Sequence, residues 1–276
     1  MSEKLVPKNP EEVMVIRDVL PGITTFSVPF SRFGLIKVGG RGTVVDSETH
    51  IRLPRRLLPR RPDTLRPRET PIPRRRRILH RSARHRTPHL PLLLGGGLPQ
   101  AHIIGPEGLA EKRAQMNAKD KRVTNVPFST IFTKANNGTV RVSEEFDRDF
   151  EYEFVAAHQN KELVFFHKPS KTLIEADLMF NLPATEQYSR AGVDATTGVF
   201  TRLFGGIQNT RGSAIWQKRV LWYALSSSDR NGFNASVKRI NGWGFENVVP
   251  CHGDVIVGGG KGIFEKVFEW HLQGKK

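Results

Sequence analysis

The stretch Ile51–Leu90 sets the strongest limit on what this chain can fold into. It contains fourteen arginines and seven prolines but no Lys, Gly, Val, Phe, Tyr or Trp. Proline at this density removes backbone donors and interrupts both helices and strands. A segment so basic and so poor in bulky apolar residues cannot build a core. We therefore expect a disordered, Arg/Pro-rich stretch at about residues 46–99.

The net charge of +16 would ordinarily point to nucleic-acid binding. Its distribution argues otherwise, because fourteen arginines and two acids, Asp63 and Glu69, place twelve of those sixteen charges in this one stretch. Over the whole chain, 38% of residues are hydrophobic and 25% are charged, as in ordinary globular proteins. The basic character therefore belongs to one segment and not to a folded domain.

Several features indicate where the protein works. No run of about 18 apolar residues is present, so no membrane contact is expected. The opening residues MSEKLVPKNPEEV lack the apolar core of a secretion signal. A single cysteine, Cys251, excludes an internal disulfide and suits a reducing compartment. We expect a cytoplasmic protein.

Both flanks of the basic stretch look like parts of a folded domain. Residues 23–45 are rich in β-branched and aromatic residues punctuated by glycine, which predicts two or three strands. Residues 100–115 predict a short strand, a Gly-Pro turn and a helix. A structureless insert of about 50 residues is uncommon inside a compact domain. The chain is therefore predicted to be one domain, 1–276, interrupted at 46–99.

The basic stretch has three interpretations. It is a solvated loop, an arginine-rich nucleic-acid or nuclear-import segment centred on Arg74–Arg77, or a product of a shifted reading frame. Codons can be chosen for Leu79–Leu90 so that the shifted frame reads YIAALDIEHHI, an apolar strand running into a cluster of potential metal ligands. Residues 52–65 can likewise be written so that it reads DSLAVFSPVALTP. Both strings look like folded protein, which favours the frame shift.

Five further segments carry a family resemblance: 28–43 (VPFSRFGLIKVGGRGT), 102–109 (HIIGPEGL), 150–190, 216–223 (WQKRVLWY) and 248–256 (VVPCHGDVI). They resemble an uncharacterised branch of the metallo-β-lactamase superfamily, over nearly the whole chain except about 46–99. The resemblance implies an αββα sandwich of two mixed sheets with outer helices. The residue patterns agree: 162–180 predicts two strands joined by a polar turn, and 262–273 predicts a terminal helix. Residues 200–245 have a mainly helical pattern, and we expect Trp216, Leu221, Trp222 and Tyr223 to be buried.

The resemblance also implies one or two divalent metals, zinc or iron, and a hydrolase acting on an unknown small molecule. The matching ligand positions are His158, Asp177 and His252. Taken singly, each also fits a structural role: a histidine at a strand end, a buried aspartate with a backbone or lysine partner, and a satisfied loop histidine. Their order and context favour the metal set. Gly253 would let the chain turn sharply beside His252.

One ligand loop of the superfamily pattern is missing. Residues 84–88 read Arg-His-Arg-Thr-Pro where the shifted frame gives DIEHH, and guanidinium groups repel a divalent ion. We therefore expect weak or absent metal and an impaired hydrolase. The alternatives are a non-catalytic scaffold, or a binding protein whose arginine-rich segment contacts nucleic acid or acidic partners. Nonspecific polyanion binding through Arg52–Arg86 is expected in any case.

The frame-shift hypothesis predicts a property of the gene. A +1 read should stay open from about codon 52 to codon 98 and should encode the two strings given above. Nucleotide sequencing across this region tests the prediction directly. A stop codon in the shifted frame would contradict it.

Overall fold

A computed structural model describes residues 7, 9–47, 102–119 and 126–275, together with the backbone of 76–80. The predicted low-order stretch 46–99 lies outside the described residues, apart from its first two positions and the five-residue strand Arg76–His80. The two shifted-frame strings and the missing ligand loop also fall mostly outside them.

The first sheet is built from four antiparallel strands. Side chains alternate between the two faces of its second strand, since Ile23, Thr25 and Ser27 are fully buried and the residues between them are half-exposed. A two-stranded hairpin, β3 (Ser31–Arg32) and β4 (Ile36–Lys37), interrupts the sheet between its second and third strands in sequence. The sheet order is β1 (Val15–Leu20), β2 (Ile23–Val28), β5 (Gly40–Ser47) and β6 (Arg76–His80).

The second sheet is mixed and has the order β12–β11–β10–β9. Its strands are β9 (Phe150–Val155), β10 (Glu162–His167), β11 (Thr172–Glu175) and β12 (Asn247–Pro250). β11 and β12 run parallel, and the other neighbours are antiparallel. A further pair, β7 (Ile104–Pro106) and β8 (Thr130–Phe132), is parallel.

Strand β10 reads as a continuous apolar run because both of its faces are covered. Leu163 and Phe165 belong to the core between the two sheets, which also contains Ile23 of β2. Val164 and Phe166 belong to a second core between this sheet and the outer helices. Because side chains alternate between the two faces of a strand, this one apolar run contributes to both cores. The expected sandwich of two sheets with outer helices is confirmed.

Most of the described helices lie between β11 and β12 or after β12 in sequence, and several are short. None of those in the described ranges has the length and apolar character needed to cross a membrane. They are α1 (Pro10–Val13), α2 (Leu109–Lys119), α3 (Glu144–Asp149), α4 (Thr185–Tyr188), α5 (Val199–Ile207), α6 (Ile215–Val220, continued by a π-helical turn, Leu221–Leu225), α7 (Arg230–Asn241), α8 (Gly260–Val267) and α9 (Glu269–Gln273).

The terminal helical segment packs as its sequence predicts. Phe264, Val267, Phe268 and His271 are buried, and Ile263 packs at the edge of the same core. The helix breaks at Phe268, so α8 and α9 are separate.

The apolar side chains of α6 and its π-helical turn are a partial exception to the sequence prediction. Leu221 is buried, and Trp222 is half-buried. Trp216 and Tyr223, which were expected in the core, are instead 52% and 59% exposed. They occupy the opposite side of the helix from Leu221, so the aromatic residues could not all face inward.

Both edges of the second sheet are occupied by local chain. At the β9 edge, the side-chain amide of Asn137 donates to the Phe154 carbonyl at 3.2 Å and accepts from the Phe154 N–H at 3.0 Å. One side chain thus replaces a neighbouring strand. At the β12 edge, the backbones of Val248 and Ile256 exchange two hydrogen bonds of 2.9 Å.

The buried His271 predicts a pH dependence of stability. Burial, and then the charge of Arg230, lower the pKa of this imidazole to about 4 from an ordinary 6.5. Its Nδ1 donates to Oδ1 of Asn234 at 2.7 Å, and burial favours the neutral ring in the folded state. The unfolded chain binds the proton more tightly, so stability is complete above about pH 6.5 and is lost as the pH falls towards 4.

Replacing this histidine should flatten the profile. Between pH 7 and pH 5, the melting temperature should fall less in His271→Gln than in the wild type. His102→Gln, which changes an exposed histidine, should retain the wild-type slope. Equal slopes in the wild type and His271→Gln would contradict this assignment.

Candidate metal site

The three histidine and aspartate residues singled out by sequence all follow strands of the second sheet. His158 comes after β9, Asp177 after β11 and His252 after β12. These three strands point the same way, because β10 alone runs antiparallel among them. Their carboxyl ends therefore meet at one end of the sheet, and loops at such ends commonly carry function.

Asp177 and His252 face one another directly. His252 Nε2 lies 3.2 Å from Asp177 Oδ1, and His252 Nδ1 lies 2.6 Å from the Gly39 carbonyl oxygen. A carbonyl can only accept, so Nδ1 carries the hydrogen and Nε2 is left to face the carboxylate. A neutral ring would then point a lone pair at an anion. A metal ion, or a proton shared by the two groups, would remove this mismatch.

Aromatic rings enclose the His252 imidazole. The Phe30 ring is stacked with its centroid at 6.0 Å, and the Phe180 centroid lies at 4.7 Å. Only 7% of His252 is exposed. This enclosure keeps water away from the ring and strengthens its interaction with the carboxylate.

Asp177 is held as an anion despite its burial. Asn160 Nδ2 donates to Asp177 Oδ2 at 2.6 Å, and Arg32 Nη2 lies 3.7 Å from Oδ1. Burial alone would raise the pKa of this carboxyl. The hydrogen bond and charge of His252, followed by the charges of Arg32 and His158, outweigh burial and hold the pKa well below its ordinary value. The site therefore presents one buried carboxylate to a cation.

His158 reaches this pair through Asn160. The backbone N–H of Asn160 donates to His158 Nδ1 at 3.1 Å, and the side chain of Asn160 binds Asp177. Because Nδ1 accepts, the neutral ring carries its hydrogen on Nε2. That tautomer offers no lone pair from Nε2 to a metal, unlike the tautomer of His252. The ring also stacks on Phe233 with centroids 6.0 Å apart.

Two further acidic side chains, Glu162 and Glu175, fix the backbone around Asp177. The two oxygens of Glu162 accept from the N–H groups of Ala176, at 2.8 Å, and Asp177, at 3.1 Å. Burial, and then the negative charge of Asp177, raise the pKa of Glu162 to about 8. Glu175 similarly accepts from Leu178 N–H at 2.9 Å, and burial raises its pKa well above the ordinary value. Both side chains position the loop.

The loop that carries His252 is held from the first sheet by Arg41. Nη1 of Arg41 donates to the carbonyls of Pro250 and Gly253, each at 2.7 Å, and Nε donates to Ser27 Oγ at 3.1 Å. Nη2 lies 3.6 Å from Glu186 Oε2. Burial lowers the pKa of Arg41, and Glu186 opposes that effect. The side chain stays charged, as arginine does in proteins.

Gln187 grips the same loop on either side of His252. Its Nε2 donates to the Cys251 carbonyl at 2.7 Å, and its Oε1 accepts from the Gly253 N–H at 3.0 Å. The Gly253 turn has a φ of +92°, and a Cβ there would lie 2.1 Å from the Asn181 carbonyl oxygen. Glycine is therefore required at this turn, as the sequence predicted.

The predicted ligand set is brought together only in part. Asp177 and His252 have the donor chemistry and orientation for a divalent ion. His158 fits only after a ring rotation that frees Nδ1, or after Nε2 loses its hydrogen. Among the residues that the structure describes, no three His, Cys, Asp or Glu side chains are arranged to hold a metal.

Sequence reasoning missed the groups that position the site. No local motif marks these groups, because their roles arise from contacts between distant segments. They are Arg32, Arg41, Asn160, Glu162 and Gln187. Cys251 lies beside His252 in sequence but is a poor nucleophile. Desolvation raises the pKa of its thiol to about 12, so little thiolate forms near neutral pH.

Comparison with known proteins gives structural matches alone. No family model matches this chain, and no curated protein matches it. A metal-soaked flavodiiron core, Flv1 from Synechocystis, matches with a TM-score of 0.54 and 11% identity, covering 94% of this chain and 60% of the other. Rubredoxin oxygen:oxidoreductase from Desulfovibrio gigas matches with a TM-score of 0.52 and 13% identity, covering 94% and 62%.

A metallo-β-lactamase from Pontibacter korlensis covers 94% of this chain and 99% of its own length, with 11% identity and a TM-score of 0.46. This chain spans about three-fifths of the two flavodiiron-type proteins. At these identities the matches show the fold. It is the fold of the flavodiiron core and of the oxidoreductase, and it agrees with the fold that the sequence resemblance implied.

The role of Arg41 predicts a large effect of its loss. Arg41→Met should leave two buried carbonyls without a charged donor and should lower the free energy of unfolding by about 2–5 kcal/mol. Arg211→Met, which changes an exposed arginine, should stay within about 0.5 kcal/mol of the wild type. Urea unfolding measures both. A wild-type midpoint for Arg41→Met would refute the assigned role.

Proposed function

We propose that this protein is a metal-dependent hydrolase-like protein with one weak divalent-ion site at Asp177 and His252, completed by His158. The observation that carries the proposal is the His252 tautomer. With Nδ1 bonded to Gly39, Nε2 and Asp177 Oδ1 face each other 3.2 Å apart. A hydrogen bond from the other ring nitrogen to a backbone carbonyl is what orients metal-binding histidines. The flavodiiron-type fold supports the proposal.

Zinc or iron bound there would supply a water of lowered pKa and would polarise the bond to be cleaved. The protein's own groups have separate tasks. Asp177 provides the negative charge, Asn160 orients its second oxygen, and the rings around His252 exclude water. Arg32, 30% exposed at its side chain and 3.7 Å from Asp177, could turn towards an anionic group of a small-molecule substrate.

The proposed site is weak for two reasons. His158 Nδ1 is already used by the Asn160 N–H, so ligation competes with an existing hydrogen bond. Residues 84–88 occupy the sequence position of the missing ligand loop, and they contain two arginines and no carboxylate. We therefore propose that hydrolytic activity is impaired in this chain.

Metal analysis and titration test the site. After purification and dialysis, the full chain should retain well under one equivalent of zinc or iron. Calorimetric titration with zinc alone should reveal one weak site. His252→Ala and Asp177→Asn should weaken it roughly tenfold or more, because each removes a ligand. His102→Ala, at an exposed histidine, should bind as the wild type does.

Two outcomes would overturn the proposal. Two tightly held ions would show that other residues complete a dinuclear site. Unchanged zinc affinity in both Asp177→Asn and His252→Ala would show that the ion binds elsewhere. Circular dichroism spectra of each variant ensure that loss of binding is not loss of folding.

A further inference from the structure

Helix α5 exposes apolar side chains that a folded protein normally buries. Val199, Phe200 and Leu203 are 79%, 58% and 63% exposed. The opposite side of this helix is packed, since Thr201 is buried and Phe204 contacts a core cluster. The exposed residues are therefore a second, outward-facing apolar stripe, which packing against the body of the protein does not explain.

The neighbouring helix α6 repeats the pattern. Trp216, Arg219, Val220 and Tyr223 follow one another at helical spacing on its outer side. The Arg219 guanidinium lies 4.5 Å from the centre of the Trp216 ring. Helices α5 and α6 contact each other. We call the exposed residues of the two helices the apolar helix face: Val199, Phe200, Leu203, Trp216 and Tyr223.

The hairpin β3–β4 extends this surface. Phe33 and Leu35 at its tip are 71% and 60% exposed. The hairpin is fixed to α5 through the Thr201 hydroxyl, which accepts from Lys37 N–H at 3.1 Å and donates to the Leu35 carbonyl at 3.2 Å. Apolar groups from three elements that contact one another thus reach solvent.

The charged side chains of the segment that carries the two helices have a single sign. Between Asp194 and Asp229 there is no acidic residue, although the segment contains four cations. One of them, Lys218, is buried in a salt bridge with Glu269. The other three, Arg202, Arg211 and Arg219, are exposed. The face therefore combines apolar side chains, an exposed Trp and Tyr, and positive charge.

We propose that the apolar helix face docks on the surface of an anionic phospholipid bilayer. Leu, Phe and Trp side chains would enter the boundary between headgroups and acyl chains, with arginines against lipid phosphates. Each basic residue near such a surface adds to the attraction. Tyr and Trp are enriched at this depth because their rings are amphipathic.

The composition of the face argues against two other occupants. A second copy of this chain would bring arginine against arginine across a self-complementary interface, which like-charge repulsion disfavours. Single-stranded nucleic acid would stack on aromatic rings, but Val199 and Leu203 offer no flat surface for stacking. The proposal is independent of metal binding, since the apolar helix face includes none of Asp177, His252 and His158.

Vesicle co-sedimentation with the full chain tests the proposal. The probe is large unilamellar vesicles of phosphatidylcholine with one quarter phosphatidylserine, compared with pure phosphatidylcholine. Phe200→Gln/Leu203→Gln should weaken binding to the anionic vesicles about tenfold or more, because two apolar side chains no longer enter the lipid. Ile16→Gln/Ile131→Gln, at two exposed isoleucines on other elements, should bind as the wild type does.

The arginines of 51–90 will also attract anionic vesicles. The measurement must therefore distinguish insertion of side chains into the lipid from electrostatic attraction to its surface. Lipid brominated in its acyl chains should quench tryptophan fluorescence in the wild type and much less in Trp216→Phe. Equal vesicle binding by wild type and Phe200→Gln/Leu203→Gln, or no quenching that depends on Trp216, would overturn the proposal. A dimer or an oligonucleotide complex that these two substitutions dissociate would also overturn it, in favour of that occupant.

Discussion

The buried guanidinium of Arg41 is the contact on which the arrangement of the two sheets depends. It leaves the first sheet at β5 and donates two hydrogen bonds to the loop after β12 of the second. A planar, permanently charged group with several donors suits this task, because two carbonyls can be satisfied at once without a proton equilibrium. The position of His252 therefore follows from the packing of the sheets.

This contact explains why the site survives at one end of the sandwich. His252 is fixed by backbone bonds from Arg41 and Gln187, and its tautomer is fixed by Gly39. Asp177 is fixed by Glu162, whose carboxylate accepts from the N–H of Asp177. None of these contacts requires an ion. The fold can thus hold Asp177 and His252 facing one another, while His158 beside them is held in a different tautomer.

Local patterns predicted much of the fold. The strands of 162–180 and the terminal helix were recognisable because their apolar periodicity matches real burial on both sides of the second sheet. Trp216 and Tyr223 were misplaced, because an apolar residue on an outward stripe looks the same in sequence as one on an inward stripe. The site could be predicted only as three residue positions. Its tautomers and supporting bonds depend on segments separated by more than two hundred residues, such as Gly39 and His252.

The occupied edges of the second sheet have a consequence for the behaviour of the chain in a crowded solution. An open edge offers unpaired N–H and C=O groups to any passing strand and so seeds intermolecular sheets. Here Asn137 covers both groups of Phe154 at one edge, and Ile256 covers Val248 at the other. The outward backbone groups of Phe154 and Val248 are therefore not available to a passing strand.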